Sequence, residues 1–254
     1  SIINNEMRNP RIYQDSEISL GKTIDLSEDA FGHVIRVLRL KDGDTITLFN
    51  GRMHDGQYGD FQATLCNVAK KRAQATIHHF DSKQNESPLH LHLGQGISRG
   101  DRMDYTLQKS VELGVTEITP LFTERCGVKL SGERLAKKQE QWQKIVISAC
   151  EQSGRAIVPV VHPPVTLTEW LQQCSQSLKL NLHPRAEHSI VSLPNESDDI
   201  ALLIGPEGGL SDEEIESAHQ RSFIPVLLGP RVLRTETAAL TAITALQCRF
   251  GDLG

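Results

Sequence analysis

No run of about 18 apolar residues occurs anywhere in this 254-residue chain, which excludes a membrane-spanning helix. Cysteine is sparse and widely set. Cys66, Cys126, Cys150, Cys174 and Cys248 stand at least 24 residues apart, so no pair has the spacing of a zinc knuckle or redox motif. Buried free thiols in a reducing cytoplasm are the expectation. The opening residues lack the basic-then-apolar order of a secretory signal. Neither sign of charge dominates: 27 Lys and Arg stand against 32 Asp and Glu, a net charge of −5, which argues against a nonspecific nucleic-acid binder. No glycine-rich loop carries the Lys-Ser/Thr of a phosphate-binding loop, and this counts against a nucleotide hydrolase. What remains, 38% hydrophobic and 23% charged residues, is the composition of a globular protein. Its length suits one large domain or two smaller ones, and it needs no disulfide or metal to fold.

The mild total hides a segregation of charge. Residues 1–75 carry ten acids and ten bases, and residues 125–155 carry seven Lys or Arg against three Glu. Residues 186–220 carry nine acids and no Lys or Arg. One basic face turned to a polyanion fits this pattern; so does a helix over 133–153 with a solvated charged side.

The first third reads as mostly β. Ser27-Glu28-Asp29 opens a helix, and Asp42-Gly43, Asn50-Gly51 and Asp55-Gly56 mark turns between β-prone runs at 45–49, 62–66 and 73–80. Closely spaced hairpins predict a small barrel over residues 1–80. The polar stretch 81–88 reads as a linker. From residue 89 strands (89–93, 115–121, 157–161, 178–182, 200–204, 224–228) alternate with helices (101–113, 133–153, one from 167, one after 211 and one at the end). Thr166 and Ser211 each sit three residues before a glutamate, as in a capping box. This alternation predicts an α/β domain over 89–254 with a parallel sheet, whose ligands bind beyond the carboxyl ends of its strands.

Two loops at such ends carry the chemistry. The run 201–204 ends in Gly205-Pro-Glu-Gly-Gly209, where glycine permits tight turning and close approach of a ligand to the backbone. Glu207, Asp212, Glu213 and Glu214 repel a phosphate and favour a ligand with positive character, although a structural strand-to-helix turn reads equally from these residues alone. Leu228-Gly229 leads into Pro230-Arg-Val-Leu-Arg-Thr-Glu-Thr-Ala238, ahead of an apolar final helix. Thr235 or Thr237 can cap that helix. Arg231 and Arg234 stand where a helix N-terminus disfavours cations, which suggests an anionic partner. His78-His79 and His90-x-His92 lack an evident carboxylate or thiol to complete a ligand set, and no metal is expected.

These paired loops resemble the α/β-knot (SPOUT) RNA methyltransferases, most closely the RsmE-type branch that methylates uridine N3 in 16S ribosomal RNA. The similarity extends through Gln95-Gly-Ile-Ser-Arg-Gly-Asp-Arg-Met103, Lys109-Ser-Val-Glu-Leu-Gly114, Glu124-Arg-Cys126 and Glu151-Gln-Ser-Gly-Arg155. Met7-Arg-Asn-Pro-Arg-Ile-Tyr13 is similar to the family's opening, which leaves residues 1–6 as an extension ahead of it.

The resemblance implies a PUA-like RNA-binding β-barrel over 1–80 and a domain over 89–254 whose end is threaded into a trefoil knot, an exception to the rule against knotted chains. It further implies a homodimer, S-adenosyl-L-methionine as methyl donor, and small-subunit ribosomal RNA, free or in the assembled subunit, as substrate. The donor site implied comprises Leu182, Ile204, Gly205, Pro206, Glu207, Gly208, Gly209, Leu228, Gly229, Leu233, Thr235, Thr237 and Ala238. Catalytic candidates are Arg234, Arg231, Glu236 and, from a partner subunit, Arg155. Arg8, Arg11, Arg99 and Arg102 are candidates for docking RNA. Two other readings share the fold: a methyltransferase acting on another RNA position, and a noncatalytic RNA-binding or ribosome-assembly module.

Overall fold

A computed structural model describes residues 9–254. The chain divides into two compact units, one running to Glu86 and taking in Cys150–Val158, the other comprising Ser87–Ala149 and Pro159–Gly254.

The first unit holds β1 (Arg11–Tyr13), β2 (Thr23–Asp25), α1 (Glu28–Phe31), a π-helical turn at Gly32–Val37, β3 (Thr45–Phe49), β4 (Gly59–Cys66) and β5 (Gln74–Ser82). They form one sheet in the order β1-β3-β4-β5-β2, parallel between β1 and β3 and antiparallel elsewhere. Alternate residues of the hairpin strands face inward, as period-2 patterning requires, so Ile46, Leu48, Phe61, Ala63, Leu65, Ala75 and Ile77 share one core with Ile12, Phe31 and Val34. The Ser27 hydroxyl caps α1 by accepting the Ala30 N–H at 3.2 Å.

Cys150–Val158 closes this unit, and that closure corrects two expectations. Arg11, a candidate for RNA, turns inward: its guanidinium binds both carboxylate oxygens of Asp60 (2.9 and 3.0 Å) and donates to the carbonyl of Cys150 at 2.6 Å. Arg155, a catalytic candidate, is 5% exposed and paired in two bonds (2.6 and 2.9 Å) with Glu86. A buried guanidinium with its charge and donors satisfied is a structural tie. The stretch 81–88 is correspondingly more than a spacer, since Asp81 and Ser82 extend β5 and Glu86 anchors Arg155. Burial pushes the Cys150 thiol up to about 12, which makes it unreactive.

The second unit contains β6 (His90–Gly96), α2 (Asp101–Glu112), β7 (Glu117–Phe122), α3 (Gly132–Ser153, whose last residues belong to the first unit), β8 (Val160–Val161), β9 (Val165–Thr166), α4 (Leu167–Gln173), β10 (Leu178–Leu182), β11 (Asp199–Ile204), α5 (Asp212–Gln220), β12 (Ile224–Val226) and α6 (Thr235–Phe250). Its sheet runs β12-β10-β11-β6-β7-β8, with β9 also on β7, and every pair is parallel. Leu121, Leu167, Trp170, Leu171, Ala201, Leu203, Ala218 and Phe223 form a core cluster. Gly94 makes room for the Trp170 indole, 2.5 Å from where a Cβ would stand. The strands expected over 157–161 and 224–228 are shorter, two and three residues. At Thr166 only one half of the expected box forms, the bond from Glu169 N–H at 3.2 Å. At Ser211 both halves form.

At the amino ends of β6 and β7 lie the carboxylates that sequence reading did not find for the histidines. Glu117 binds His90 at 2.6 Å and His162 at 2.8 Å, and Asp199 binds the other nitrogen of His90 at 2.7 Å. Strand pairing brings them together from positions up to 109 residues apart. Among the described residues, no group of three or more such side chains is arranged to hold a metal. Burial drives His92 down to about 4 against the opposing charge of Glu117, so it is neutral in the native state. Burial raises the Glu117 carboxyl, but the His162 bond and the charges of His92 and His90 outweigh it and hold the group below its usual value.

Both shifts have the same sign of linkage. Each native pKa lies below its unfolded value, so stability present near neutrality is lost as pH falls from about 6.5 through 4. Urea unfolding across this range should show that loss, with His92→Gln losing about 1–3 kcal/mol less than wild type. Equal pH dependence in the two proteins would contradict the assignment.

Candidate active site

Because the strands of the second sheet are parallel, β6, β10, β11 and β12 all deliver their carboxyl ends to one edge. A cleft of about 990 Å³ opens there. Its walls are the turn after β11 (205–210), the segment after β10 (183–185) and the loop from β12 into α6 (227–234).

The turn after β11 is shaped by what its glycines permit. A Cβ on Gly96, at the end of β6, would lie 2.5 Å from Pro206 Cδ, so only glycine lets β6 and the turn pack this closely. Gly209 has φ +74° and Gly229 φ +67°, conformations that side chains rarely adopt. The Ser211–Glu214 capping box then starts α5 at once, and Glu214 also accepts the Glu124 N–H at 3.2 Å. Arg125 donates to the carbonyls of Gly208 (3.2 Å) and Leu210 (3.4 Å), which braces the turn from outside.

One hydroxyl joins the turn to the second loop. Thr235 Oγ1 donates to the Gly205 carbonyl at 2.6 Å and accepts from the buried amide of Gln95 at 3.0 Å. This corrects the capping expectation: Arg234 is the N-cap of α6 with no side-chain bond, and Thr235 spends its hydroxyl across the cleft floor. Thr237 is exposed and is not among the residues of the cleft wall.

The other twelve residues implied for a donor site, Leu182, Ile204, Gly205, Pro206, Glu207, Gly208, Gly209, Leu228, Gly229, Leu233, Thr235 and Ala238, all line the cleft. So do Arg231, Arg234, Glu236 and Arg102. Arg99 lies beside it, its N–H on Glu207 (3.3 Å) and its guanidinium on the Gly127 carbonyl (3.4 Å). Arg11 and Arg155 are held in the first unit as described, and Arg8 lies outside the described residues. Sequence reading missed Arg185, Asp212, Ile215 and Leu203 as wall residues. Asp212 and Ile215 carry no motif beyond helix onset, and only the chain's return beside β11 exposes them to the cleft.

The chemistry of the wall is mixed. Leu182, Ile204, Leu228 and Leu233 give an aliphatic lining, while four arginines and the acids Glu207, Asp212 and Glu236 give both signs of charge. Glu236 Oε2 is buried with no hydrogen-bond partner among the described residues. Residues 228–233 make no main-chain hydrogen bond among the described residues, which leaves their N–H and C=O groups for a ligand. An aliphatic cavity with unpaired main-chain groups and convergent charges is the general form of a small-molecule site.

Comparison with known proteins gives the site its context. An RNA methyltransferase domain model matches residues 85–247, and an RNA methyltransferase PUA domain model matches residues 26–58. The ribosomal RNA small subunit methyltransferase E of Buchnera aphidicola subsp. Schizaphis graminum is 40% identical over 97% of this chain and 98% of its own. This chain belongs to that RNA methyltransferase family. A putative methyltransferase of Legionella pneumophila, solved in complex with S-adenosylmethionine, superposes with a TM-score of 0.92 at 47% identity, over 97% of this chain and 100% of that one. The ribosomal RNA small subunit methyltransferase E of Neisseria gonorrhoeae, bound to S-adenosylmethionine, gives 0.91 at 45% identity over the same shares. The expected architecture, a PUA-like unit followed by a parallel-sheet α/β methyltransferase domain, is therefore that of the family.

Thr235→Val keeps the shape of the side chain and deletes the hydroxyl. The Gly205 carbonyl and Gln95 amide lose their partner, at an expected cost of about 1–3 kcal/mol in urea unfolding. Unchanged stability would show that the bridge contributes nothing.

Proposed function

We propose that this chain transfers a methyl group from S-adenosyl-L-methionine to N3 of a uridine in 16S ribosomal RNA, working as a cytoplasmic homodimer on a knotted fold. The observation that carries this reading is the convergence of the turn at 205–210 and the loop at 228–234 on one cleft, joined by Thr235. The residues present fit the donor. The aliphatic side chains suit its adenine, the unpaired main-chain groups of 228–233 suit polar atoms around the ring, and Glu207, Asp212 and Glu236 suit a cationic sulfonium. When bound, that cofactor supplies an electrophilic methyl group.

The chain's own residues have two tasks. Uridine N3 carries a proton that must leave, and the uracil anion that develops needs a fixed positive charge near its carbonyls. Arg234 and Arg231, exposed on the cleft wall, meet the second need. The carboxylate of Glu236 meets the first, by accepting the proton or by holding an arginine in place. Holding the reacting atoms in line is a proximity effect that can supply roughly 7–11 kcal/mol. Arg102 on the wall and Arg99 beside it suit the phosphates that flank an unpaired, splayed-out base.

Arg234→Ala should lower turnover about 100-fold or more while the fold and donor affinity stay near wild type. The readouts are methyl transfer to small-subunit ribosomal RNA and mass analysis of the digested product. 3-Methyluridine is expected; a methylated ribose, a modified tRNA, or an Arg234→Ala variant with full turnover would overturn the assignment.

A further inference from the structure

The first unit is electrically neutral in sequence, yet its cations gather at one end. Arg36, Arg39 and Lys41 follow the π-helical turn, while Lys70, Lys71 and Arg72 occupy the hairpin tip between β4 and β5. All six are exposed, and none has an ion-pair partner among the described residues.

The two segments form one surface. Val68 N–H donates to Asp42 Oδ1 at 2.9 Å, and Gly43 N–H donates to the Leu65 carbonyl at 2.8 Å. Ile35, Leu40 and Val68 pack on the same core and so anchor both segments from beneath. Asp42 and Asp44 are the acids here, and each accepts a main-chain N–H, from Val68 and Lys41, which ties them to the loop backbone.

Three further features set this end apart. The π-helical turn is a geometry that proteins keep mainly at functional positions. Arg39 has φ +54°, a strained backbone for a residue with a side chain. Val37 and Leu38, 70% and 37% exposed, stand between the cations of the same segment. Cations around a small aliphatic patch match a chain of phosphates with sugar or base faces to cover.

We propose that the surface formed by residues 36–41 and 67–72 docks the backbone of the RNA substrate, at a place distinct from the methyl-transfer cleft. The proposal rests on ribosomal RNA being the substrate, as argued above. Phosphate contacts of this kind position a substrate without reading its sequence.

The test uses the full chain and in vitro transcribed small-subunit ribosomal RNA, with filter binding over a series of salt concentrations. Two variants are compared with wild type, Lys70→Gln/Lys71→Gln/Arg72→Gln and Arg36→Gln/Lys41→Gln. Each is expected to weaken RNA binding about tenfold or more near 0.1 M salt. The slope of log affinity against log salt should fall by about 2–3 in the triple variant and about 1–2 in the double. Melting temperature and S-adenosylmethionine affinity should stay at wild-type values. Unchanged RNA affinity and slope in both variants would overturn the proposal, as would loss of binding to phosphatidylserine vesicles with RNA binding intact. A wild-type chain that binds the transcript through these cations yet methylates nothing would leave this surface standing while the activity reading fell.

Discussion

Everything at the cleft depends on a backbone turn held open at a fixed distance from a second loop. The Thr235 hydroxyl sets that distance, reaching from the first residue of α6 to the Gly205 carbonyl with the Gln95 amide behind it. Gly96 allows the same turn to close against β6, where any side chain would strike Pro206. These contacts join residues up to 140 positions apart, and they bring together the ends of β6 and β11 and the start of α6. With the scaffold rigid there, the loop at 228–233 can leave its main-chain polar groups unpaired without collapsing onto itself.

Local chemistry made much of this legible in the sequence. Ser27 and Ser211 announce helix starts because their hydroxyls satisfy main-chain N–H groups, and the glycine-rich bend after an apolar run announces a turn that a ligand can approach. The alternation of strands and helices predicts a parallel sheet, and a parallel sheet places its loops at one edge. Side chains that act over long sequence distances were not legible. Thr235 reads as a cap because caps are local; its actual partner is 30 residues away. Arg11 and Arg155 read as free cations because Asp60 and Glu86 reach them only after folding. The carboxylate set around His90 was hidden for the same reason.

Charge is also used differently from what its distribution along the chain suggests. The acidic stretch 186–220 is not one face. Glu214 is consumed in a capping box and in bracing residue 124, whereas Glu207 and Asp212 line the cleft. The basic stretch 125–155 divides likewise: Arg125 braces the turn at 205–210, and Arg155 is sealed in an internal pair. A sum over a segment therefore says little about function, while the partner of each charge says a good deal.

The central claim is that the two glycine-bearing loops make one cavity for a sulfonium donor. Calorimetric titration of the purified protein with S-adenosylmethionine tests it most directly. Saturable binding of one donor per chain, with a rise in melting temperature as ligand increases, is the predicted result. No binding heat and no thermal shift at about 1 mM donor, far above a useful dissociation constant, would contradict it.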